Sequence, residues 1–140
     1  MPLLRGLREA LTMMQEEGLD NIYARHLFLA QAVQKASAAW GLNLCAKDSS
    51  LYSNTVTAIM VPEGIDSTDI VKTAYNKYNT SFGGGLNKVA GKLFRIGHLG
   101  DLNSTMILGA ISTAELAMYD VGIKFELGSG VAAAIKHLKV

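Results

Sequence analysis

Arg95 is the residue of this sequence that points most directly to chemistry. It stands between Phe94 and Ile96, so in an extended strand its side chain leaves on the face opposite those two apolar neighbours. A guanidinium presents its N–H donors as a planar fork, which matches the oxygens of a carboxylate or a phosphate. The other reading of the same residue is an edge-strand arginine that faces water or pairs with a surface acid. Near it in sequence lie groups that could share a site: Gly83, Gly84 and Gly85 upstream, Lys88 and Lys92 between, and His98 and Asp101 just beyond.

Several tempting motifs fail on spacing. A phosphate loop ending at Gly91 and Lys92 would need glycine at position 86 and a hydroxyl at position 93, where the chain has Leu86 and Leu93. The three glycines therefore read as a flexible hairpin connection. Gly128, Gly130 and Ala133 satisfy G-x-G-x-x-A before a helix, but the βαβ unit and downstream acid that this motif needs are not found within the 140 residues, so a glycine-rich helix start is expected. No G-x-S-x-G elbow supports a serine nucleophile. His26 falls on an apolar helical stripe without partners at ligand spacing, which favours a packed, hydrogen-bonded imidazole over a metal ligand. His98 and Asp101 are read as structural, in a turn leading to a helix, with a place on the rim of the Arg95 pocket as the alternative.

These side chains need a scaffold, and the apolar spacing outlines one. Leu3, Leu4, Leu7, Ala10, Leu11 and Met14 mark one face of a first helix that Gly18 ends. Asp20 is expected to cap a second helix, with Ile22, His26, Leu29, Val33, Ala36 and Trp40 on its stripe and Gly41 as its stop. Leu42 to Ala46 reads as a short strand and Thr55 to Val61 as a stronger one, closed by the turn Pro62, Glu63 and Gly64. Asp66 caps a helix that buries Ile70, Val71, Ala74 and Tyr78. Asn79 to Phe82 and Leu93 to Gly97 are expected as the two arms of a hairpin.

Asp101 or Asn103 then caps a helix that buries Met106, Ile107, Ala110, Ile111, Ala114, Ala117 and Val121 and ends at Gly122. Gly109 in its interior suggests close packing against a neighbour. Ser129 is expected to cap a last helix from Gly130 to Leu138, with Lys136, His137 and Lys139 complementing its C-terminal dipole. The expected fold is α+β, a single domain over residues 1–140 with a small, mainly antiparallel sheet and helices on one face.

The chain has 140 residues, 49% hydrophobic and 18% charged, which suffices for one core. A formal net charge of +1 with no run of basic residues argues against nucleic acid or an anionic membrane as partner. Cys45 is the one cysteine, so no internal disulfide is expected; its apolar setting suggests an inert buried thiol and a reduced, cytoplasmic location. Met1 to Arg5 lack the pattern of a signal peptide, and no export is expected.

The run G-K-L-F-R-I-G-H-L-G-D-L-N from Gly91 to Asn103 resembles the C-terminal domain of class V pyridoxal-phosphate aminotransferases, most closely the serine–glyoxylate and alanine–glyoxylate group. L-R-E-A-L from Leu7, N-T-V-T-A-I-M-V-P-E-G-I-D from Asn54 and G-S-G-V-A-A-A from Gly128 resemble the same group. Each segment is weak alone; four in order across the chain are specific. The resemblance implies the small C-terminal domain of a fold-type I aminotransferase, with part of the long connecting helix at the N-terminus. It implies that Arg95 binds the substrate α-carboxylate, that the Gly83–Gly85 segment lies near the active-site entrance, and that the complete enzyme is a homodimer acting on amino-acid and 2-oxo-acid substrates.

The family's Schiff-base motif is matched by none of Lys35, Lys47, Lys72, Lys77, Lys88, Lys92, Lys124, Lys136 and Lys139. The expectation is therefore that the large cofactor-binding domain is absent, that no catalytic, cofactor-binding or metal residue lies in this chain, and that the chain alone binds no pyridoxal phosphate and is inactive. A free-standing binding or dimerisation module that keeps the fold is the alternative. Loss of the large domain is expected to uncover the apolar faces of the first helix and of the Met106 to Val121 helix.

Overall fold

Thr57, Ile59, Phe94 and Ile96 alternate with less buried residues along two neighbouring strands, and this period of two sets the layering of the domain. The computed structural model describes residues 1–139. Strand β1 (Val56–Met60) pairs antiparallel with β3 (Leu93–Gly97), and β3 pairs antiparallel with the very short β2 (Gly83–Gly84), giving the order β1-β3-β2. Arg95 is therefore on the central strand, not an edge strand.

One face of the sheet meets helices, as an α+β domain requires. Helix α2 (Leu19–Ala39) lies against β1, and α3 (Ser67–Tyr78) against β3 and β2. Helix α4 (Ser104–Asp120) packs on α3, and α5 (Ser129–Leu138) packs on α2 and α4. Leu29, Val33, Ile59, Ile70, Phe94, Ile96, Ile107, Ile111 and Met118 fill the shared core. Each such side chain fully removed from water contributes about 1.5–3 kcal/mol before the cost of ordering it.

Helix α1 (Pro2–Glu17) has no buried residue; Leu3, Leu4, Leu7, Leu11 and Met14 are exposed along one face. Its counterpart expectation is corrected at α4, where Ile107, Ile111, Ala114, Ala117 and Met118 are buried within the domain and only Met106, Leu116 and Tyr119 stand out.

Several local expectations also change. Leu42 to Ala46 forms no strand: Leu44 makes one bridge to Ile59, and the flanking backbone bonds Cys45 N to Ala58 O and Met60 N to Asn43 O are too few for a ladder. Cys45 is exposed, not buried. Asn79 to Phe82 is not a strand either. Asn79 is a left-handed C-cap of α3 at φ 52°, a conformation its short polar side chain tolerates, and the pairing falls to the glycines that were expected to form a loop.

Asp20 does not cap α2, whose N-cap is Gly18 at φ 83°, the sharp break between α1 and α2. Asp66 caps α3 by accepting from Thr68 N, and Asn103, rather than Asp101, caps α4 by accepting from Met106 N. Gly109 is exposed and an added methyl would meet nothing within 4 Å, so it marks no close approach. Ser129 is inside α5, behind the N-cap Gly128. Among the described residues no helix is long and apolar enough to cross a membrane.

Candidate substrate-carboxylate site

Arg95 leaves β3 on the face opposite Phe94 and Ile96, between Ala58 of β1 and Gly83 of β2 in the register. Two small residues flank it, so the long side chain has room to lie along the sheet. Its Nε donates to Gly84 O at 3.0 Å. Nη1 and Nη2 have no hydrogen-bond or ion-pair partner among the described residues. The side chain is half-buried, a state in which a cation with two unused donors offers a ready seat for a carboxylate.

The three glycines divide into separate tasks. A Cβ on Gly83 would stand 3.0 Å from Arg95 Nε and 3.2 Å from Nη2, while one on Gly84 meets nothing within 4 Å. Gly85 donates from its N to Leu93 O at 3.0 Å, and a side chain there would collide with the Val89 carbonyl in the 3-10 turn Asn87–Val89. Lys88 and Lys92 are exposed near that connection, away from any phosphate loop geometry.

His98 and Arg95 are not brought together. His98 is fully buried on the helix side, where Nδ1–H donates to Asn54 O at 3.1 Å and Nε2 accepts from Thr57 Oγ1 at 2.8 Å. The carbonyl can only accept, which fixes the neutral tautomer with its proton on Nδ1. Burial pushes the imidazole below its ordinary value of 6.5. Its backbone N also donates to Thr55 O at 2.9 Å, so His98 pins the segment before β1 to the end of β3.

Asp101 is exposed, in a loop held from the other side by α2. Arg25 donates to Gly100 O at 2.7 Å and Leu102 O at 3.0 Å, and through Nε and Nη2 to both carboxylate oxygens of Glu17 at 2.6 and 2.7 Å. His26 Nε2 accepts from Gly100 N at 3.1 Å, a structural use of an imidazole. No group of three or more metal-ligating side chains occurs among the described residues.

Glu115 was not anticipated. It is buried, and its Oε1 accepts from Trp40 Nε1 at 2.9 Å, Gly130 N at 2.8 Å and Val131 N at 3.2 Å, while Oε2 accepts from Gly128 N at 2.7 Å. A carboxylate thus replaces the missing side-chain cap of α5, where the helix dipole and orphan N–H groups favour negative charge. The available signal was an acid four residues after Ile111, at a core position of the stripe.

Aminotransferases hold pyridoxal phosphate through a lysine in Schiff-base linkage. All nine lysines are exposed, and Lys77 is engaged by Asp120 at 2.7 Å. Lys35 borders an open groove of about 750 Å³ with Gln31, Gln34, Asn43, Tyr52 and His137, where no carboxylate is available to pair with a pyridinium nitrogen.

No family model matches the chain. Among curated proteins it is 61% identical over 135 residues to serine–glyoxylate aminotransferase of Hyphomicrobium methylovorum, covering 96% of this chain and 33% of that protein. It is 55% identical over 139 residues to serine–glyoxylate aminotransferase of Methylorubrum extorquens, covering 99% and 35%. Its fold matches the crystal structure of pyridoxamine–pyruvate aminotransferase from Mesorhizobium loti with a TM-score of 0.90 and 32% identity, over 96% of this chain and 34% of that one. The chain spans about a third of the length of the relatives it matches.

Proposed function

We propose a role for Arg95 on the premise that this chain belongs to the class V, fold-type I pyridoxal-phosphate aminotransferases, as the C-terminal small domain of their serine–glyoxylate and alanine–glyoxylate group. The domain supplies the arginine that receives the α-carboxylate of the amino-acid or 2-oxo-acid substrate. In the complete enzyme an amino group passes from serine or alanine to glyoxylate. One observation carries this reading: the half-buried guanidinium has its Nε satisfied by Gly84 O and both terminal nitrogens without a protein partner among the described residues.

A carboxylate seated on Nη1 and Nη2 is held at two points, which fixes its plane as well as its position. Holding the substrate in one orientation lowers the entropic part of the barrier to any later bond change at its α-carbon. The cofactor chemistry belongs to a large domain outside these 140 residues, and the domain alone is inactive. The test is to join the chain to a large domain of a relative and measure amino transfer from serine to glyoxylate. Activity in the joined form and none in the 140-residue chain supports the reading; turnover by the 140-residue chain alone contradicts it.

The second reading, a non-catalytic binding or dimerisation module, draws on α1. Its exposed Leu3, Leu4, Leu7, Leu11 and Met14 form an apolar stripe along one side, and contiguous exposed apolar surface favours association. Sedimentation separates the readings: a discrete, well-behaved monomer or dimer favours an independent module, whereas open-ended, concentration-dependent association favours a domain whose covering surface lies elsewhere.

A further inference from the structure

We propose that Gly83 and the carbonyl of Gly84 are the positioning element of the Arg95 guanidinium, leaving only its Nη1/Nη2 edge for a carboxylate. This rests on the carboxylate reading above but has its own observations. Gly83 and Arg95 are directly opposed in the β2–β3 register, so any side chain at position 83 would share a face with Arg95 at close range. The guanidinium occupies that space: an added Cβ would lie 3.0 Å from Nε, 3.2 Å from Nη2 and 3.3 Å from the Arg95 Cβ.

The backbone of Gly83 is not in the left-handed region; Gly18, Gly41, Gly64, Gly91, Gly100, Gly122 and Gly128 are the glycines that are. Glycine at 83 is therefore present for space, since alanine could adopt the same backbone. The neighbour contributes its main chain. Gly84 O accepts from Nε at 3.0 Å, which restrains rotation of the guanidinium plane. A guanidinium has two edges that can grip a carboxylate with parallel hydrogen bonds, one using Nε and one using the two terminal nitrogens. Gly84 consumes the first, so a carboxylate docks end-on.

Gly109→Ala is the control, because it adds the same methyl on α4, outside the β2–β3 pairing, where nothing lies within 4 Å. The experiment uses the ¹⁵N-labelled 140-residue chain, following the Arg95 Nε–H resonance, its solvent exchange, and its response to acetate. In wild type and Gly109→Ala the Nε–H is protected and acetate shifts the Arg95 resonances. In Gly83→Ala, exchange is expected to accelerate about tenfold and the acetate response to weaken by a similar factor, as loss of one such hydrogen bond implies. Equal Nε–H protection and equal acetate response in the two alanine variants overturns the positioning role. No acetate response at wild-type Arg95 overturns the carboxylate reading instead, while Nε–H protection still decides the positioning role.

If Gly83→Ala unfolds the domain, Gly83→Ala in an Arg95→Ala background decides. Recovery of the folded spectrum supports the assigned clash, and failure to recover contradicts it.

Discussion

Glu115 and Trp40, 75 residues apart in sequence, are joined by a buried hydrogen bond of 2.9 Å that ties α4 to the end of α2. The same carboxylate holds the first turn of α5. Removing it deprives four donors of their acceptor, and the two buried ones, Trp40 Nε1 and Gly130 N, each cost about 1–3 kcal/mol if left without a partner. Glu115→Leu is expected to destabilise the domain by roughly 3 kcal/mol, and Glu115→Gln by less, since one acceptor oxygen remains. Trp40 is the single tryptophan, so its fluorescence during urea unfolding reads both variants. A midpoint unchanged in Glu115→Leu would contradict the capping role.

Two helical glycines should respond oppositely to the same methyl. At Gly130 it would collide with the Trp40 indole, and Gly130→Ala is expected to cost roughly 2 kcal/mol through overpacking. At Gly109, exposed and clear of neighbours, Gly109→Ala is expected to stabilise α4 by about 0.8–1 kcal/mol. Thermal unfolding of the pair checks both; destabilisation by Gly109→Ala would show a neighbour packed there in solution.

That contrast illustrates what was legible in the sequence. Periodicity located α1 to α4, β-branched residues located β1, and the apolar neighbours around Arg95 located β3, because those signals reside in side chains spaced by the element itself. Strand β2 was invisible, since Gly83 and Gly84 carry no side chains and join the sheet only because β3 offers them a ladder and Arg95 needs the room. The cap of α5 was misassigned to Ser129 because the true acceptor comes from another helix, a tertiary relation no local pattern encodes. Cys45 was expected inside on the strength of Leu44, yet the segment does not form the strand that would have turned it inward. Arg95 was legible as a directed cation; what satisfies its Nε was not.

Acid should weaken the fold first through His98. Burial holds its folded-state value below 6.5, so the unfolded chain binds the proton more readily in the window between the two values. Stability is then complete above about pH 6.5 and falls as pH drops through that window. The lowered carboxyls of Asp48, Asp66 and Asp120 act later, below 3.8. Urea midpoints between about pH 7 and pH 5 should decline in wild type and decline less in His98→Gln. Identical slopes in the two proteins would remove His98 as the cause.

Exposure of every lysine bears on cofactor attachment. Pyridoxal phosphate mixed with the 140-residue chain, reduced with borohydride and mapped by peptide mass, is expected to label several lysines substoichiometrically. A single stoichiometric adduct at one lysine would contradict the proposal that the 140-residue chain alone forms no site for the group.

Arg95→Lys separates the fork from the charge, because lysine keeps the charge and loses the paired donors. With the domain joined to a large domain, KM for serine and glyoxylate is expected to rise roughly tenfold to a hundredfold, the loss expected for a charged hydrogen bond of about 1.5–3 kcal/mol, with cofactor binding retained. Unchanged KM and kcat in Arg95→Lys would contradict the carboxylate role of Arg95.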